Sequence, residues 1–235
     1  MKIFAVLGLG AFGRAVAVSL AGGGAEVIAI DQDEEIIEGI KNDVSQALRM
    51  NSTDERAMRE AGLEEVDVAI VAHGVRLEAS ILTTVILRRL GVPQIIARSI
   101  SDLHEDVLNA VGADRVVSVE RELGAQLAGS LLAPEITERI PLASGHSLAE
   151  IIPREEFIGK ALREIDARRR YGVNVVAIRR RRKEITESGD IDFVEEIDNT
   201  PDPDATIGEY DRLLAVGHDD ALQAFGSGDK ETSNH

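Results

Sequence analysis

Three glycines stand at positions 8, 10 and 13, directly behind an apolar run at residues 3–7, and they constrain this chain more than any other feature. The run Ile3, Phe4, Ala5, Val6, Leu7 shows no alternation of polar and apolar residues, so it suits a strand buried on both faces. Residues 11–20 then read as a helix. In a strand–glycine–helix unit each glycine has its own task. Gly8 makes the tight turn, Gly10 lets a diphosphate approach the backbone, and Gly13 lets helix and strand pack closely. The free N–H groups at the helix start favour an anion. The spacing alone is a weak signal, and context strengthens it. Residues 26–30 form a second buried strand that ends on Asp31, eighteen residues past Gly13, where a carboxylate can accept ribose hydroxyls. Asp33 fits better as the cap of a helix at 34–41, which leaves Asp31 for the ligand.

The same rhythm continues. Strands are expected at 47–50, 66–72, 94–97 and 116–119, with helices at 54–61, 75–90, 103–111 and 122–132. Strands alternating with helices indicate an α/β fold with a doubly wound parallel sheet, Rossmann-like in class. Such sheets bind ligands at the carboxyl ends of their strands, where the strand order reverses. That edge gathers Gly8 to Gly13, Asp31, Asn51, His73, Arg98 and Glu120. The apolar faces of 81–90 and 127–132 are read as mainly core, with either able to extend into a dimer interface.

Pro134 breaks the last helix and marks a boundary. Beyond a connector at 135–144, a smaller α+β lobe of βαβ type is expected. It has strands at 147–152, 173–179 and 212–216, a helix at 160–170, an acidic loop carrying Pro201 to Asp204, and a short helix at 219–225. Gly217 ends the last of these strands. The expected domains are therefore 1–134 and 135–225, with 226–235 as a disordered tail.

Charge is distributed unevenly. Of a net charge of −16, residues 183–235 carry 15 acids against 3 bases, while the first 182 are nearly balanced. An acidic surface argues against nucleic acid as a partner. Without cysteine there is no disulfide, no thiolate nucleophile and no Cys-ligated metal. No apolar run approaches membrane-span length and no cleavable leader is recognisable, so a cytoplasmic protein is expected.

Several blocks together carry a resemblance. FAVLGLGAFG at 4–13, VIAID at 27–31, VDVAIVAHG with EASILTT at 66–84, GADRVVSVERELG at 112–124 and GEYDRLLAVG at 208–217 stand in the order found in one family. The chain resembles the regulatory subunits of Trk/Ktr-type potassium uptake systems, which have an N-terminal nucleotide-binding RCK (or KTN) domain and a smaller C-terminal RCK lobe. The resemblance implies ATP, ADP or NAD(H) bound without redox chemistry. It implies a homo-oligomer, a dimer commonly built into an octameric ring, whose shape gates a multi-span membrane potassium-translocating subunit. The protein would lie against the inner face of the membrane through that partner.

By the same resemblance the nucleotide contacts fall on Gly8, Gly10, Ala11, Phe12, Gly13, Asp31, Asn51, Ser52, His73 and Arg98, and Glu120 matches a carboxylate that holds Mg2+ or Ca2+ at a dimer interface. Asn51 and Ser52 would lie near the adenine, and Arg98 would reach a phosphate. Many relatives place arginine where this chain has Ala11, so weaker separation of ATP from ADP is expected. Arg14, one turn on, need not point to the same place.

His73, His104, His146, His218 and His235 lack metal-ligand spacing, and only His73 falls in the ligand cleft. The clusters 168–170 and 179–182 read as salt bridges to the acidic loop, or else as a site for cyclic di-AMP. An NAD(P)-dependent oxidoreductase and a stand-alone nucleotide sensor are the competing functions. The glycines do not separate them, but the residues after 134 show no acid–base set.

Overall fold

The computed structural model describes residues 2–74, 76–142, 144–185 and 191–228, with the backbone alone for 183–185 and 191–193. The chain forms two compact units, 1–124 and 125–235. The division falls inside a helix, ahead of the Pro134 boundary read from sequence.

The first unit alternates strands and helices: β1 (Ile3–Leu7), α1 (Ala11–Gly22), β2 (Glu26–Asp31), α2 (Glu34–Ile40), β3 (Gln46–Arg49), α3 (Glu55–Glu60), β4 (Val68–Val71), α4 (Leu77–Leu90), β5 (Gln94–Arg98), α5 (Asp102–Ala110) and β6 (Arg115–Val117), followed by α6 (Val119–Leu132). The six strands lie in the order β3-β2-β1-β4-β5-β6, and every pair is parallel. The order reverses between β1 and β4, so the ends of those two strands flank the crevice that ligands use in this architecture. Ala5, Leu7, Val71, Ile95 and Leu108 build the core on one side, and Val6, Ala17, Val27, Ile37 and Ile70 build it on the other. Coverage on both sides explains why these strands are apolar throughout. Asp33, Asp54 and Ser101 cap α2, α3 and α5 through their side chains.

The second unit departs from the expected layout. Its elements are β7 (Ile136–Pro141), β8 (His146–Ile151), α7 (Leu162–Ile165), α8 (Ala167–Tyr171), β9 (Asn174–Ile185), β10 (Ile191–Asp198), β11 (Arg212–His218) and α9 (Asp219–Ser227). The sheet runs β10-β9-β11-β8-β7, with every pair antiparallel. The βαβ-type lobe is thus corrected to an antiparallel sheet with helices. The connector at 135–144 contains edge strand β7, which tolerates Pro141 because an edge leaves backbone donors unpaired. The acidic loop contains β10, whose Glu195 and Glu196 stand opposite Arg181 and Arg180 of β9. The helix expected at 160–170 is two short helices, broken at Asp166 with φ 47°. β11 continues through Gly217 to His218, and α9 reaches Ser227, so the expected tail at 226–235 begins in helix and residues 229–235 lie outside the described ones. Phe157, Tyr171 and Phe225 form an aromatic centre with ring centroids 5.2–6.3 Å apart.

The face at 127–132 is not core. Leu127, Leu131 and Leu132 are 61%, 73% and 78% exposed. Ile86, Leu87 and Leu90 of α4, by contrast, are buried as expected.

Candidate functional site

A cavity of about 840 Å3 opens at the carboxyl ends of the parallel strands. Gly8 and Gly10 line it from the β1–α1 turn, Asp31, Gln32 and Asp33 from the end of β2, and Ala72, His73, Gly74 and Arg76 from the end of β4. Arg98, Ile100 and Glu120 close it from β5 and the start of α6.

The glycines differ in what a side chain would meet. Gly8 has φ +92°, and a Cβ there would lie 2.7 Å from His73 Nδ1. At Gly13 a Cβ would lie 1.9 Å from the Gly8 carbonyl oxygen, so the start of α1 seats directly on the turn. At Gly10 a Cβ would meet nothing within 4 Å. Gly10 also caps α1 without a side-chain hydrogen bond, and the first turn carries no acid. The positive end of a twelve-residue helix therefore faces the cavity uncompensated, as an anion site requires. Arg14 is turned away. Its Nη2 donates to the Gly39 carbonyl at 2.8 Å and lies 3.7 Å from Asp43, so it does not replace a cation at Ala11.

Asp31 is nearly buried and fastens the turn. Its Oδ2 accepts from Leu9 N–H at 2.7 Å, and its Oδ1 accepts from Gln32 N–H at 2.7 Å and Asp33 N–H at 3.1 Å. Asp33 caps α2, accepting from Glu35 N–H at 2.9 Å. Asp33 caps the helix as read from sequence, and both carboxylates line the cavity.

His73 is buried, with Nε2 2.9 Å from Ser52 Oγ. Burial pushes its imidazole down to about 4, with Arg76 adding to the fall and Asp31 opposing it. The ring is neutral at pH 7. Ser52 lines neither this cavity nor its neighbour. It points inward, between His73 and Thr83. Asn51 lines a second cavity of about 380 Å3 with Thr53, Leu77, Ala79 and Leu82, and its Oδ1 accepts from Gln32 Nε2 at 2.7 Å.

Arg98 pairs with Glu120 and stands over the Phe12 ring at 5.8 Å. Its Nε is buried with no hydrogen-bond partner among the described residues. The bond from its own N–H, and then Arg98, hold the Glu120 carboxyl below the usual range. Among the described residues no group of three or more His, Asp and Glu side chains is arranged for a metal ion. One carboxylate joined to an arginine does not hold a divalent ion by itself.

Gln32 and Arg76 were not singled out from sequence. They line both cavities, and Arg76 Nη1 donates to Gln32 Oε1 at 3.2 Å. Gln32 stands directly past β2, whereas Arg76 stands at the start of α4. Away from the cavity, His104 lies under the start of α5, its imidazole lowered by burial. His146 and His218 meet edge to face at 5.4 Å on the second sheet, and His235 lies outside the described residues. Three arginines of β9 are engaged: Arg179 with Glu150 at 3.1 Å, Arg180 with Asp211 at 2.7 Å and Arg181 with Glu195 at 2.7 Å.

The fold and the cleft define a Rossmann-like, two-unit protein, and the comparisons agree. Residues 4–119 match the TrkA-N domain and residues 146–227 the TrkA-C domain. The chain is 40% identical over 179 residues to the Ktr system potassium uptake protein C of Bacillus subtilis, covering 76% of this chain and 81% of that one. It is 31% identical to the Ktr system potassium uptake protein A of the same organism, covering 95% of each. The chain belongs to this family of potassium uptake proteins. Among solved structures, the GsuK RCK domain superposes with a TM-score of 0.62 at 17% identity, over 99% of this chain and 48% of that one. The GsuK channel bound to NAD gives 0.61 at 18%, over 100% and 40%. The chain spans half or less of those chains, and the likeness is one of fold.

Proposed function

We propose that this chain is a nucleotide-sensing regulatory subunit of a Ktr-type potassium uptake system. The observation that carries the reading is the uncapped start of α1 at the bare Gly10, facing a cavity that also presents Asp31 and Arg98. This set fits an adenine nucleotide, ATP or ADP, with NAD(H) as the other candidate. The phosphates would lie on Gly8 to Gly13 within reach of Arg98, and the ribose would lie by Asp31. The base would lie toward the second cavity, where Asn51 and the apolar side chains Leu77 and Leu82 meet. Bound nucleotide supplies negative charge at the helix start and ties the ends of β1, β2 and β5 together. Residues 1–134 would act as the sensing lobe and 135–225 as the regulatory lobe.

The exposed leucines of α6 support a homo-oligomer, and the proposed assembly is a dimer within an octameric ring, docked on a membrane potassium-translocating subunit at the cytoplasmic face. Mg2+ or Ca2+ at Glu120 would require release of that carboxylate from Arg98 and ligands from a second copy. A cyclic di-AMP site in the second unit would draw on Arg168, Arg169 and Arg182, because Arg179 to Arg181 already face acids. Catalysis forms no part of the proposed role.

Mass spectrometry of nucleotide released from the purified protein, together with its native mass, tests the sensing reading. An adenine nucleotide and a multiple of the chain mass are expected. Co-purification with a multi-span subunit and restored potassium uptake test the partner. Turnover of NADH with a small carbonyl substrate would overturn the regulatory reading in favour of an oxidoreductase.

A further inference from the structure

Behind the glycine turn stand three buried polar side chains from separate elements: Thr83 on α4, Ser52 after β3 and His73 after β4. Thr83 Oγ1 lies 2.9 Å from Ser52 Oγ and 3.3 Å from the Ser52 carbonyl oxygen. Ser52 Oγ lies 2.9 Å from His73 Nε2. A hydroxyl carries one proton, so the direction of the chain decides the histidine tautomer. With Thr83 donating across the shorter contact, one lone pair of Ser52 Oγ is engaged and the Ser52 proton is free to point to Nε2. In that arrangement the ring proton sits on Nδ1. That nitrogen lies beside Gly8 on the cavity wall and makes no hydrogen bond to any of the described residues.

We propose that Thr83 and Ser52 are positioning residues that fix His73 as the Nδ1–H tautomer, so that a neutral N–H donor beside Gly8 contacts a phosphate oxygen of the bound nucleotide. The inference rests on the nucleotide reading of the cavity and adds a specificity element to it. A neutral donor behaves differently from an arginine. It holds a phosphate oxygen without rewarding additional negative charge, so it supports binding without separating ATP from ADP. With Ala11 in the glycine motif, the phosphate cradle at the turn leans on backbone N–H groups and this imidazole, with Arg98 lining the cavity from the end of β5.

The test is nitrogen-15 NMR of the histidines in the full-length protein, first free and then with ADP, alongside calorimetry. The free protein should show His73 as Nδ1–H, and ADP should shift that nitrogen. Thr83→Val keeps volume and removes the donor. It should mix the two tautomers and weaken ADP by about fivefold, while Ser52→Thr should preserve both properties. An Nε2–H tautomer in the free wild type would overturn the proposal before any ligand is added. ADP binding by calorimetry with an unmoved Nδ1 would overturn the contact and leave the nucleotide reading standing. No binding of ADP, ATP or NADH to the wild type would remove the nucleotide reading and the donor role together.

Discussion

The two sheets of this chain solve the same problem in opposite ways. The parallel sheet of the first unit is covered on both faces, so its central strands are apolar runs closed by glycine, aspartate or histidine at one edge. The antiparallel sheet of the second unit has its core on one face only, and its outer strands carry arginines opposite glutamates. In the first, chemistry gathers at strand ends because the faces are closed. In the second, charge spreads along the strands and is spent on partners within the sheet. An open cleft follows from the first arrangement and paired ions from the second.

The strongest way to break this contrast is at the closest approach in the first unit. Gly13→Val should destabilise it by about 3 kcal/mol or more, because the intruding atom meets backbone that has nowhere to go. Urea unfolding, with hydrogen exchange to locate the loss, checks this, and protection should fall first at the β1–α1 turn. The next effect comes from His73. Its imidazole falls from the usual 6.5 to about 4 in the folded state, so the folded protein binds fewer protons than the unfolded chain between those values. Stability should therefore fall as pH drops through that window and level off below it. The total is on the order of 3 kcal/mol at about 1.4 kcal/mol per unit. Urea midpoints at pH 4.5 and 7 should diverge more for wild type than for His73→Gln.

In the second unit the sensitive point is an ion pair. Asp211 is buried, accepts from Gly208 N–H at 2.8 Å and pairs with the half-buried Arg180. Arg180→Ala should cost about 2 kcal/mol by leaving that carboxylate without its cation. Arg180→Met with Asp211→Asn together should cost less than the two single changes summed. The smallest effect adds a cation at the glycine turn, in addition to the Arg76 and Arg98 already in the cleft. Ala11→Arg should favour ATP over ADP by about tenfold, or about 1.4 kcal/mol, read by paired calorimetric titrations.

The contrast also explains what could be read from the chain. The first unit was legible nearly to the residue, because a strand buried on both faces and a glycine turn each leave an unambiguous local pattern. Asp33 as cap was likewise legible, since a cap must stand directly before its helix. Ser52 was placed at the right edge but facing the wrong way, because nothing local distinguishes a serine that lines a cleft from one that supports a histidine. Arg76 and Gln32 were missed because their importance comes from the meeting of the segments that follow β2 and β4, far apart in sequence. The second unit was harder for one reason. IDFVEEID and the arginine run of β9 look like loop until they are set side by side, and only pairing turns their charges into strand. Asp166 broke a helix that its flanking arginines and leucine suggested was continuous.

Asp31 has a further consequence that can be reckoned in lone pairs. A carboxylate offers about four acceptor positions, and the N–H groups of Leu9, Gln32 and Asp33 occupy three. One remains. A single ribose hydroxyl can be received without disturbance, whereas a ribose that engaged through both would have to evict a backbone proton, most directly that of Leu9 between the first two glycines. Exchange of one amide proton would then be a gauge of how firmly the sugar is held.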